Sequence, residues 1–175
     1  MPSNKSKSFP WEIVEKVIAK ETKWLKETLI EISKNEEGHC KDCIFRRLAI
    51  LIISGRIRTK DIKSSVCLWG KEKSFLIGKP HGKEWHAEMM KLVATYFKSL
   101  DYNVAIEPNL NMGRADLAAY KKDGRDLFIE IGTVSLYKLL FNLESMEGSD
   151  FLIVLDLNHA IEFSILKASY KYYST

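Results

Sequence analysis

The 175-residue chain has little of several things. It holds only three cysteines, Cys40, Cys43 and Cys67, too few for a disulfide framework and more in keeping with thiols or ligands. Its longest apolar run, residues 48–53, is too short to span a bilayer, and the opening MPSNKSKSF lacks the apolar stretch of a signal peptide. The expectation is an intracellular protein, in a cell or host-cell cytoplasm, with no membrane partner. No internal repeat is visible, and the four prolines leave most of the chain free to form regular structure.

What is present is 46% hydrophobic content, enough to fill a core, and a net charge of +4 that is unevenly spread. Residues 1–40 carry 7 basic and 7 acidic side chains, residues 41–79 carry 10 and 3, and the remainder 10 and 13. The basic middle third, with Arg46, Arg47, Arg56, Arg58, Lys60 and Lys63, is suited to a phosphate backbone.

Apolar spacing near 3.6 predicts a long amphipathic helix over residues 9–35, available for packing or for a homodimer contact. A second helix is predicted over 40–54, with Gly55 as its stop, and a short third one in RIRTKDIKSS, capped by Thr59 or Asp61. Three helices in a basic segment invite a helix-turn-helix reading. Short strands are predicted at 66–69 and 74–77, and GKPHG at 78–82 marks a boundary between residues 1–78 and 79–175. Beyond it the pattern predicts a helix over 83–100, strands at 103–108, 114–121 and 125–131, a helix over 136–146 capped by Ser135 or Thr133, and a strand at 151–157. Residues 160–166 are a further strand candidate. A meander followed by a helical crossover implies an α/β fold with a mixed sheet.

The strands at 114–121 and 125–131 turn back about Lys122-Asp123-Gly124, each with one acid in an apolar run. Centring the loop on Asp123 opposes residues whose numbers sum to 246, which sets Asp116 against Glu130 and Arg114 against Gly132. Opposed side chains share a face about 5 Å apart, and two carboxylates so held call for a cation, usually a hard divalent one.

His39, Cys40, Cys43 and Cys67 include a Cys-X2-Cys spacing that a structural zinc would use, but no second pair matches it, and small buried thiols are the preferred reading.

Asp116 in GRADLAAY, Glu130 in LFIEIG, a preceding helix with Glu84 and Glu88, and the order αβββαβ together resemble the core of the PD-(D/E)XK nuclease superfamily over roughly residues 81–173. The resemblance implies a restriction-endonuclease-like core behind a mainly helical N-terminal region. It implies Mg2+ or Mn2+ held by Asp116, Glu130, the Ile131 carbonyl and a helix acid, for which Glu88 is preferred over Glu84. It further implies DNA phosphodiester hydrolysis, on duplex or branched DNA. The motif lysine is missing, because Gly132 stands in its place. Lys138 on the next helix is the preferred substitute, and Arg114 the other cation within reach, able to stabilise charge but not to take a proton. His81, His86, Thr133 and Ser135 are supporting candidates near metal or phosphate. A nuclease core that binds DNA without cutting it is the alternative, and an assembly role for the first helix a third reading.

Overall fold

The computed structural model describes residues 23, 27, 41–63, 69, 82–110 and 113–167. Residues 23 and 27, inside the first expected helix, are helical. The rest of that helix, the expected strands at 66–69 and 74–77 apart from Trp69, His39, Cys40, Cys67, His81, and the side chain of Cys43 lie outside the described residues.

Helix α1, Lys41–Ile53, buries Ile44, Leu48 and Leu51 at helical spacing and ends at Gly55, whose φ of 73° suits glycine. The segment that follows differs from expectation. Ile57–Lys63 is a strand, β1, not a short helix, so the helix-turn-helix reading does not hold. The physical reason is its period of two: Ile57 and Thr59 turn inward while Arg58 and Lys60 are exposed. Asp61, read as a helix cap, instead lies 2.8 Å from His159 Nε2 on the neighbouring strand.

Helix α2, Lys83–Ser99, precedes β2, Asn103–Ile106. A two-stranded ribbon follows, β3 at Asn109–Leu110 and β4 at Gly113–Arg114, then β5, Leu117–Tyr120, and β6, Leu127–Ile131. Helix α3, Leu136–Ser145, carries the chain across to β7, Asp150–Val154, and β8, His159–Ile165. The six-stranded sheet runs β1-β8-β7-β6-β5-β2, with β6 and β7 parallel and every other pair antiparallel. The crossover through α3 makes that one parallel pair, as the predicted order required.

Alternate residues of the central strands feed two cores. Ala118, Phe128, Phe151, Ile153, Ile161 and Phe163 pack with α1 and α3, whereas Leu117, Ala119, Ile129, Ile131, Leu152 and Val154 pack with α2. Strands covered on both faces read as near-continuous apolar runs, which is why LFIEI and FLIV show little alternation. Ile44, Leu48, Leu51 and Ile57 belong to the first of these cores, so α1 and β1 share a core, and β1 a sheet, with the segment beyond 82. Arg47 of α1 reinforces this by forking onto Glu144 of α3 at 2.7 and 2.6 Å. Among the described residues no helix is long and apolar enough to cross a membrane.

Because Ile57 is 2% exposed in that shared core, Ile57→Ala is expected to destabilise the whole unit by about 2–4 kcal/mol. Urea unfolding followed by tryptophan fluorescence and by circular dichroism should give a single transition moved to lower urea in both signals. A transition unmoved by the substitution would show that β1 is not part of the cooperative core.

Candidate metal and phosphate site

The hairpin register is the one the loop length predicts: Leu117 pairs with Ile129, Ala118 with Phe128 and Ala119 with Leu127. The first strand is shorter than expected, however. The ladder stops at Leu117, and Arg114 pairs with Asn109 instead of facing Gly132. Asp116 sits in the bend between β4 and β5, held by its backbone: Glu107 N–H donates to the Asp116 carbonyl at 2.9 Å, and Ala115 N–H to Pro108 at 3.2 Å. Glu107 has a φ of 48°, a left-handed conformation unusual outside glycine and found disproportionately beside functional sites.

Freed from the ladder, Asp116 turns its carboxylate to the end of β6, where Oδ2 accepts the Ile131 N–H at 2.7 Å. His86 Nε2 lies 3.2 Å from the same oxygen. Glu130, within β6, shares the parity of Phe128 and is buried. Burial pushes its carboxyl above the ordinary glutamate range. The hydrogen bond and charge of Lys138 pull it back, the nearby Asp116 charge pushes it further up, and His86 pulls it down. Asp116 and Glu130 are thus close enough to feel each other.

The missing lysine has a backbone explanation. Gly132 has a φ of 82°, a conformation that strains an L side chain by roughly 1–2 kcal/mol. The chain needs that turn to pass from β6 into α3, whose N-terminus Ser135 caps by accepting the Lys138 N–H at 3.3 Å. One turn of helix then brings the Lys138 ammonium to 2.7 Å from Glu130 Oε1 in an ion pair. The same ammonium donates to the Arg114 carbonyl. Arg114 therefore contributes its backbone. Its exposed guanidinium lies 3.2 Å from Glu107.

The helix acids are not brought to the pair. Glu88 is bound to Lys91 at 2.8 Å, and Glu84 is exposed in the first turn. The buried residues of α2 include Met89, Val93 and Phe97, at +3, +7 and +11 from His86, which reaches Asp116 from that side of the helix, whereas Glu88 pairs with Lys91. Leu92, one turn from Glu88, is only partly buried. Thr133 and Ser135 are exposed beside the site. Among the cations expected to hold DNA, Arg47 pairs with Glu144, Arg56 with Glu147 at 2.9 Å and Lys63 with Asp61 at 3.2 Å. Arg46, Arg58 and Lys60 are exposed.

Compared with protein-family models, curated proteins and solved structures, the chain matches none. What it could hold is therefore judged from the donors. Asp116, Glu130 and the Ile131 carbonyl offer hard oxygens of the kind Mg2+ takes, and water commonly completes such a shell. Among the described residues no three His, Cys, Asp or Glu side chains form a ready-made metal cluster, so the fit is that of a water-rich site. Side-chain exposure rises from 8% at Glu130 through 22% at Lys138 and 23% at Asp116 to 36% at His86, which places the approach for a ligand on the Asp116–His86 side.

Glu130 also makes stability depend on pH in a stated direction. With its native pKa raised, the folded protein keeps a proton that the unfolded chain has already released, so its contribution is full below the ordinary pKa and is lost as pH rises through the native one. In chelator-containing buffer, the unfolding free energy of wild type minus that of Glu130→Gln should fall as pH is raised from about 4. A difference that stays level or grows would contradict a buried, raised Glu130.

Proposed function

We propose that the chain is a divalent-metal-dependent DNA endonuclease whose reaction centre is Asp116, Glu130 and Lys138. One observation carries this reading: the Lys138 amine lies 2.7 Å from the buried Glu130 carboxylate, supplying from α3 the cation that the turn at Gly132 denies to β6. The resemblance to the PD-(D/E)XK nucleases rests on the same residues, together with the mixed sheet and its crossover helix.

A divalent cation held by Asp116, Glu130 and the Ile131 carbonyl would supply Lewis acidity for the phosphate and bring a water's pKa near neutrality. The remaining work falls to the chain. The Ile131 N–H and His86 fix the Asp116 carboxylate in one orientation. Lys138, on a flexible stem, orients the attacking water and offsets the charge that grows on the phosphate as the bond to the leaving oxygen breaks. Thr133 and Ser135 can donate to a neighbouring phosphate, and Arg58 and Lys60 on edge strand β1 offer charge to the duplex backbone. A homodimer, giving two such centres for two strands, is part of the proposal.

A second reading is favoured by a specific feature: Glu130 and the Arg114 carbonyl already engage the Lys138 amine. On that reading the core binds DNA and does not cut it.

Incubation of supercoiled, linear and four-way DNA with Mg2+ or Mn2+ separates the two. Cleavage is expected to vanish in Asp116→Ala and Glu130→Ala, to fall about 10²–10⁴-fold in Lys138→Met, and to stay within about twofold in Glu88→Ala. Salt-sensitive DNA binding without cleavage in any metal would favour the second reading, and full activity in Asp116→Ala would remove the first.

A further inference from the structure

We propose that in the metal-free protein the Lys138 ammonium holds the Glu130 oxygen that a divalent cation would take, so that metal binding must displace it. The inference rests on the metal-site reading above and adds to it a competition between one side chain and the metal.

Three observations carry it. The ammonium contacts two hard oxygens on different segments, Glu130 Oε1 at 2.7 Å and the Arg114 carbonyl, which is the donor chemistry a magnesium-like ion uses. Glu130 is buried at 6% exposure, and a carboxylate so placed is strongly destabilised without a counter-charge. Lys138 is the one Lys or Arg paired with it among the described residues. Finally, α3 does not depend on that pair for its placement. Ser135 caps it, and Leu136, Leu139, Leu140 and Leu143 bury it, so the four-carbon stem can swing out while the helix stays put.

The consequence is that one amine serves two states. Without metal it neutralises Glu130. With metal it is pushed off the carboxylate but remains beside it, where its role towards water and phosphate begins. Removing its charge should therefore help metal binding even as it harms catalysis, the opposite of what a residue serving only to support the metal ligands would do.

The test is calorimetric titration of the full chain with Mn2+, alongside thermal unfolding with and without saturating Mn2+. The proteins are wild type, Lys138→Met, Lys138→Arg and the double variant Glu130→Gln with Lys138→Met. Lys138→Met is expected to bind Mn2+ at least about tenfold more tightly than wild type. It should melt lower without metal, and gain more from Mn2+ than wild type does. Lys138→Arg keeps the charge and should not exceed wild-type affinity, and it remains informative if the methionine variant folds only with Mn2+. The double variant should recover metal-free stability and lose the gain in affinity. If wild type binds Mn2+ and Lys138→Met binds it no better, the competition is overturned while the metal site stands. If no variant binds Mn2+, the metal-site reading itself falls.

Discussion

A carboxylate inside an apolar core is stable only if something positive meets it, and Glu130 places that demand at the centre of this molecule. It is the one buried charged side chain among the described residues, set in a strand otherwise filled by Leu127, Phe128, Ile129 and Ile131. The demand is met from a distance in sequence. β6 must turn at Gly132, α3 must start at Ser135, and only then does Lys138 return to the carboxylate. The ammonium also ties down the Arg114 carbonyl, just ahead of the bend that carries Asp116. A single ammonium thus links β4, β6 and α3 where the parallel crossover leaves the sheet. A buried ion pair is often no more stabilising than packed apolar residues of similar volume, so folding alone does not require this one.

The fold around that pair was legible in the sequence to different depths. The helices at 83–99 and 136–145 and the register of the β5–β6 hairpin follow from apolar spacing, a Ser cap and a short turn, all of them local signals. The strand at 57–63 was hidden because its seven residues include four charged ones, and its partner, β8, lies about a hundred positions away. Its inward Ile57 and Thr59 were the signal available, but a basic segment after a helix reads as another helix when the sheet edge it completes is out of view.

At the site the same division appears. Glu130 could be picked from strand parity and Asp116 from the expected hairpin register, whereas Lys138 was reached through the family resemblance. Two further features could not be picked in either way. The left-handed conformation at Glu107, whose N–H holds the Asp116 carbonyl, leaves no trace in residue type. The rotation of α2 that presents His86 rather than Glu88 depends on which of two overlapping apolar stripes the sheet covers, and tertiary packing decides that. The His86, Met89, Val93, Phe97 series was present to be read.

The central claim is that Asp116 and Glu130 together hold a divalent cation, and the position of a bound Mn2+ tests it most directly. In crystals grown with Mn2+, anomalous scattering measured at the manganese edge should give a peak about 2.0–2.3 Å from oxygens of both carboxylates, with the Lys138 amine moved away from Glu130. A protein that stays without a peak there at saturating Mn2+, its Lys138 still against Glu130, would contradict the account.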